Sequence, residues 1–199
     1  MKLQQPQFDG EISLERAIKN RRTSRAFMSD PLSQGEFSQL LWAAYGITDE
    51  RGFKRAAPSG GALYPMDLYA VAGTGGVKDL EAGTYHYDPN EHSISSILEG
   101  DIRVDLARAS LSQMWMATAP VNLIITVEYR RISVKYGERG ARYALMEAGH
   151  IGQNIFLQAE ALGLGAGIVG AFHDENVSKI LKITREHEPL LIMPVGHKR

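Results

Sequence analysis

The chain has 199 residues, 44% of them hydrophobic and 23% charged, enough to bury a substantial core in one domain or in one subunit of an oligomer. Lysines and arginines number 22 against 23 acidic residues, a formal net charge of -1 that gives no global attraction to nucleic acid or anionic membrane. Cysteine is absent, which excludes disulfides, thiolate metal sites, iron–sulfur ligation and a cysteine nucleophile, so any redox work falls to a bound cofactor. No apolar run follows the basic residues at the N-terminus and no segment approaches ~18 unbroken apolar residues. The expectation is a soluble, cytoplasmic protein folded as one domain over residues 1–199.

In chain order, Ser13 is placed to cap a short helix, LERAIKN, which runs into Arg21-Arg22-Thr23-Ser24-Arg25. Three guanidinium groups interleaved with two hydroxyls offer forked donors suited to a phosphate, although a solvated basic turn has the same composition. Ser33-Gln34-Gly35-Glu36 reads as a capping box opening a second helix that Gly46 closes. Ala57–Pro65, APSGGALYP, breaks the helical pattern before a strand, LYAVA. Its small residues allow close approach to a flat or anionic ligand, and equally a plain turn. Gly83–Ser93 reads as a hairpin turning at Asp88-Pro89-Asn90, Asp101–Met116 as helix, Val121–Glu128 as a β-branched strand and Tyr129–Glu138 as a basic connection.

The longest helical signal runs from Arg139 to Gly167. It is apolar around most of its circumference, interrupted by a polar stripe of Glu147, His150, Asn154 and Gln158, and Gly163 supplies its terminator. Burial on nearly all sides is expected, at the centre of a domain or against a second subunit. Beyond it, Ile168–Phe172 and Leu190–Val195 read as strands, and Glu175–Leu181 as a helix. The whole is an α+β chain.

Two motifs are set aside. Gly165-Ala166-Gly167-Ile168-Val169-Gly170 matches the dinucleotide fingerprint, but it follows a helix and leads into a strand, the reverse of the required order. Glu147-x-x-His150 matches one half of a di-iron carboxylate site, and the second copy is missing. A buried polar stripe bonded within the protein is the simpler reading.

Taken together and in order, RRTSRAF (Arg21–Phe27), PSGGALYP (Pro58–Pro65), TYHYDP (Thr84–Pro89), QMWMATAP (Gln113–Pro120), KYGERGARYALMEAGHIGQN (Lys135–Asn154), ALGLGAGIVGAF (Ala161–Phe172) and PVG (Pro194–Gly196) carry a resemblance. The sequence resembles the flavin-dependent nitroreductase superfamily, and within it the azoline oxidase (SagB-type dehydrogenase) branch, which converts thiazolines and oxazolines in peptides into thiazoles and oxazoles. The resemblance implies an α+β nitroreductase sandwich: a mostly antiparallel sheet flanked by helices, with a long central helix at the interface of an intertwined homodimer, where Ile151, Ile155 and Leu162 would pack across a two-fold axis.

It further implies FMN in sites shared between subunits. Arg21, Arg22, Thr23 and Arg25 would hold the phosphate and ribityl chain, with Lys198 and Arg199 adding cationic contacts. Pro58, Ser59, Gly60, Ala62 and Leu63 would reach the flavin from the partner, Gly170 and Ala171 would place backbone amides near flavin N5, and Gln113 is a further candidate. Lys135 and Tyr136 match a pair used near the substrate for deprotonation. The implied function is FMN-dependent, ping-pong hydride transfer between an NAD(P)H-type donor and an acceptor, with azoline oxidation on peptides or non-catalytic flavin binding as alternatives. Departures are Thr23 where serine is commoner, Ala62 where many nitroreductases carry asparagine, and the absence of the longer segments that peptide-modifying members use for leader recognition.

Overall fold

The computed structural model describes residues 1–199. Six strands, β1 (Met66–Ala72), β2 (Gly83–Asp88), β3 (Ser93–Glu99), β4 (Val121–Val127), β5 (Leu164–Ala166) and β6 (Glu188–His197), form one sheet in the order β3-β2-β1-β4-β6-β5. Every neighbouring pair is antiparallel. The helices are α1 (Leu14–Asn20), α2 (Gln34–Tyr45), α3 (Arg103–Ala109), α4 (Tyr129–Tyr136), α5 (Arg139–Ala161) and α6 (Asp174–Leu181), with 3-10 turns at Gly60–Ala62 and Met114–Thr118.

The period-2 alternation of the two central strands explains why helices cover both faces. Leu68, Ala70 and Ala72 of β1 and Val121, Leu123, Ile125 and Val127 of β4 point to one core, filled from the other side by α2 and α5. Tyr69, Val71 and Ile124 point to a smaller core closed by α3 and α6. The ends of the helices follow from local chemistry. Ser13 caps α1, Ser33 and Glu36 make the reciprocal capping box of α2, and Gly163 ends α5 at φ 74°.

Several expectations shift. Tyr129–Tyr136 is a helix, α4, anchored to the sheet by Arg131, whose guanidinium reaches Asp67 at 2.7 Å and Glu128 at 2.6 Å. Burial acts to raise the pKa of Asp67, but the hydrogen bond from His86 and the charges of Arg131 and His187 outweigh it and hold the carboxyl below its usual value. The region expected as one helix over Asp101–Met116 divides into α3 and a 3-10 turn, because Leu111 (φ 53°) and Ser112 (φ 57°) are both left-handed. Ile168–Phe172 is not a strand. The chain pairs earlier, at β5, and keeps only a single bridge from Val169 to Ile192.

The central helix is buried on one side of the single chain, not on all sides. Ile151 (1% exposed) and Ile155 (0%) belong to that chain's own core, which corrects their expected place on a two-fold axis. The solvent face of α5 instead carries Arg142, Leu145, Met146, Gly149, His150 and Gln153, with the two large apolar side chains 55% and 54% exposed. No helix is long and apolar enough to cross a membrane.

Leu123 is wholly buried at the middle of β4. Leu123→Ala is expected to lower unfolding free energy by about 2–5 kcal/mol in urea titration through lost transfer energy and the cavity it leaves; a loss under about 0.5 kcal/mol, typical of a surface position, would contradict this placement.

Candidate active site

The candidate residues collect in two places. The first lies at the end of the sheet formed by β5 and β6. Ser24 N–H donates to Ala166 C=O at 2.8 Å, Thr23 bridges Ala166, and Phe27 bridges Lys198, so the Arg21–Arg25 segment is fastened along the strand ends. Glycines permit this fit: a Cβ on Gly165 would stand 2.5 Å from Ser24 Oγ, and one on Gly167 would stand 2.7 Å from the Trp115 ring. That is the structural reason for the glycines that mimic a dinucleotide fingerprint.

The arginines fastened there have no carboxylate partners. Arg21 lies 5.1 Å from the Phe156 ring and Arg25 5.8 Å from the Trp115 ring, while Arg22 donates to the carbonyls of Lys19 (2.9 Å) and Arg21 (2.8 Å) at the end of α1. Lys198 differs, since its ammonium is 2.7 Å from Glu160, whereas Arg199 is exposed and makes no ion pair. Beside this cluster, Gly170 and Ala171 are exposed and their N–H groups donate to no other group of the chain. Gln113 does not reach outward. Both contacts of its amide nitrogen are to backbone, Ser110 C=O at 3.0 Å and Ala171 C=O at 3.1 Å, so it steadies the segment that presents those two amides.

The second place is the Pro58–Leu63 loop, which packs on the first turns of α5. A Cβ on Gly60 would lie 3.2 Å from Tyr143 Cβ. Lys135 and Tyr136, at the end of α4, converge on the same loop: a Cβ on Gly61 would stand 2.6 Å from Tyr136 Oη and 3.0 Å from Lys135 Nζ. Tyr136 meets Tyr143 edge-on at 5.0 Å, and Arg139 Nε donates to Tyr143 Oη at 3.2 Å. Only glycine readily adopts the φ of 65° found at position 61, and its missing side chain leaves room for the Lys135–Tyr136 pair.

The two places are far apart within one chain. One abuts Tyr143 and the other Phe156, which are 13 positions apart on α5, about 20 Å at the rise of an α-helix. The sequence separates the clusters without saying how far, because it does not show which turn of α5 each one touches. Sequence reading also passed over Trp115, Phe156 and Tyr143, aromatic residues that support the arginines or the loop. Each looks like ordinary core in a periodic pattern.

Under the loop, the polar stripe of α5 is largely satisfied within the protein. Glu147 is buried and its Oε1 accepts from Tyr45 Oη at 2.9 Å; Asn154 donates to Ala56 C=O at 3.2 Å, and Gln158 accepts from Gln39 at 3.2 Å. His150 is the exposed member. Burial raises the pKa of Glu147, opposed by the neighbouring hydroxyls of Ser59 and Tyr45 and by Arg55. No group of three or more histidine and carboxylate side chains is arranged to hold a metal ion, and Glu147 lies buried while His150 faces solvent.

The model of the nitroreductase family matches residues 18–197. A Methanocaldococcus jannaschii protein that carries a nitroreductase name, MJ1384, is 48% identical over 198 residues, covering 100% of this chain and 97% of that one. The microcin B17-processing protein McbC of Escherichia coli is 28% identical over 169 residues, which are 83% of this chain and 62% of McbC. Among solved structures, a nitroreductase-type protein of Ralstonia eutropha superposes with a TM-score of 0.86 at 25% identity, over 100% of this chain and 89% of the other. A chain of the Escherichia coli microcin synthetase McbBCD complex superposes with a TM-score of 0.77 at 26% identity, over 100% and 78%. The fold, the motif order and these matches agree: the chain belongs to the nitroreductase family, oxidoreductases that generally use a flavin.

Proposed function

We propose that residues 1–199 form one FMN-binding unit, an FMN-dependent oxidoreductase that acts as a homodimer with each site built from both subunits. The observation that supports this most is the division of the candidate residues between the two ends of α5. The midpoint between Tyr143 and Phe156 falls at Gly149–His150, on the solvent face, where a Cβ added to Gly149 would meet nothing within 4 Å. A second α5 crossing there antiparallel, about a two-fold axis, covers Leu145 and Met146 and brings one chain's Pro58–Leu63 loop to the partner's Arg21–Arg25 cluster.

The residues present fit FMN. Three arginines without carboxylate partners match a phosphate of about −1.5 to −2 charge. Arg21 and Arg25 are the free forks, Thr23 adds a hydroxyl, and Lys198 and Arg199 raise the local positive potential. When bound, the flavin supplies the hydride-transfer chemistry. The N–H groups of Gly170 and Ala171, on a segment that Gln113 steadies, would offer donors to the ring edge, where negative charge grows on reduction. The small residues Ser59, Gly60, Gly61 and Ala62, with Leu63 beside them, allow flat contact with the ring from the partner. An NAD(P)H-type donor and an acceptor would take turns above it, in a ping-pong sequence. We place the protein in the cytoplasm.

A finer reading is favoured by the Lys135–Tyr136–Gly61 contact. Oxidation of an azoline to an azole removes a proton from one ring carbon and a hydride from another, and a bound flavin would supply the hydride acceptor. Lys135 Nζ, exposed beside the loop, is placed to take the proton, with Tyr136 Oη next to it. Similarity to the microcin- and trifolitoxin-processing proteins supports this reading, although this chain spans 62% of McbC and 40% of the trifolitoxin-processing protein TfxB.

Three outcomes are expected. Heat-released cofactor should be FMN, and Arg25→Ala should weaken its binding roughly tenfold to more than a hundredfold, the worth of a charge-assisted contact of ~1.5–3 kcal/mol; FAD, or unchanged occupancy by titration, would contradict the assignment. Leu145→Asp should yield a folded monomer by light scattering with little bound flavin, since the substitution puts a charge twice into a two-fold interface; a flavin-loaded dimer would move the interface elsewhere. Lys135→Ala should slow oxidation of a thiazoline by ~10²–10⁴-fold while leaving NADPH-driven reduction of a nitroaromatic and flavin occupancy unchanged; equal thiazoline rates would remove Lys135 from the mechanism.

A further inference from the structure

Directly beneath the Pro58–Leu63 loop lies a carboxylate that makes no ion pair. Glu147 is 1% exposed; Oε1 accepts from Tyr45, but Oε2 is fully buried and accepts no hydrogen bond of regular geometry. Leaving a carboxylate oxygen so placed is costly unless the arrangement needs an acceptor there. Two hydroxyls converge on it. Tyr45 Oη accepts from Met66 N–H at 3.3 Å and donates to Oε1, which ties Glu147 to α2 and the start of β1. Ser59 Oγ accepts from Tyr64 N–H at 3.0 Å, and the same hydroxyl is among the groups that oppose the burial-raised pKa of Glu147, which puts it beside the carboxyl. Arg55 closes the far side, 4.3 Å from the Tyr45 ring and 4.6 Å from the Tyr64 ring.

The loop above is one that must be held. Gly61, Ala62 and Tyr64 have φ of 65°, 53° and 48°, a cluster of left-handed residues of which two are not glycine. Such backbone persists only where its surroundings fix it. Inside the loop, Ala62 N–H donates to Ser59 C=O at 3.2 Å, and Tyr64 N–H uses the Ser59 hydroxyl. Ser59 is thus the hub of the loop, and the buried group next to that hub is Glu147.

We propose that Glu147 is a positioning residue: as an acceptor shared by Tyr45 and Ser59, it locks the Ser59–Tyr64 backbone in the shape that lays Gly61 against Lys135 and Tyr136. A carboxylate suits this task because it can accept from Tyr45 on one oxygen and from Ser59 on the other, whereas a carboxamide turns one acceptor into a donor and gives up one of the two contacts. The consequence for catalysis rests on the flavin reading above; the clamp itself does not.

Amide hydrogen exchange on the full-length, flavin-loaded protein tests the clamp. In Glu147→Ala, exchange at Ala62 and Tyr64 should rise at least about tenfold while Leu123 and Ile125 in β4 stay protected, the pattern of local opening. Glu147→Gln should give a smaller rise at the same two amides, and it carries the test if the alanine variant fails to fold. Ser59→Ala should reproduce the effect, and combining it with Glu147→Gln should add little, since both break one contact. Unchanged exchange at Ala62 and Tyr64 in Glu147→Gln, or an equal rise across β4, would overturn the proposal. FMN titration separates it from the reading it rests on: a loosened loop with several-fold weaker FMN binding supports both, whereas a loosened loop with unchanged FMN affinity keeps the clamp and removes the loop from the flavin site.

Discussion

The one-sided burial of α5 governs the rest of the molecule. Its inner face is committed to the chain's own core through Ala144, Ala148, Ile151, Ile155 and Ala159, so the helix cannot rotate without emptying that core. Its 23 residues then set a distance of about 35 Å between its ends. The two clusters that meet this helix do so toward opposite ends. The Gly60 turn and the Lys135–Tyr136 pair meet it at Tyr143, whereas the arginine segment meets it at Phe156. A rigid spacer of this kind keeps the two candidate clusters apart in one chain, and in the dimer we propose a two-fold axis through its middle would rejoin them.

The electrostatics fit that division. At the arginine end, Glu160 is engaged by Lys198, and Arg21 and Arg25 lie against aromatic faces without an ion-pair partner. Cations held over aromatic faces gain some stability and keep their donor edges free for a ligand. At the other end the polar groups are internal and serve to fix backbone. Arg131 fastens α4 to Asp67, and Glu147 fastens the loop through hydroxyls, so the exposed Lys135 is carried by two anchored elements. One end presents cations without carboxylate partners, and the other fixes backbone.

Much of this was legible in the sequence. The capping box at Ser33, the terminator at Gly163 and the β-branched run of β4 act locally, so sequence and structure agree there. The Arg21–Arg25 segment and the Pro58–Leu63 loop also stood out, each by unusual composition. What the sequence hid was non-local. The buried side of α5 depends on the sheet it meets, and its nearly continuous apolar character masked the strip at Leu145, Met146 and Gly149. Gln113 reads as a ligand-facing amide until its two backbone acceptors, one 58 positions away, are seen. The 129–136 stretch reads as a loop because its charges obscure the helical period, and the Arg131–Asp67 pair that stabilises it spans distant parts of the chain.

The central claim, that each site takes its arginine end from one subunit and its loop end from the other, is tested most directly by mixing two inactive variants. Subunits carrying Arg25→Ala are co-refolded in equal amounts with subunits carrying Lys135→Ala, and thiazoline oxidation is measured with FMN at a concentration that the arginine variant alone cannot bind. Random pairing makes about half the dimers mixed, and each mixed dimer has one site with both residues intact, so activity should return to about a quarter of the unmutated level. Activity no higher than that of the separate variants, with mixed dimers confirmed by native mass spectrometry, would show that each site lies within a single chain.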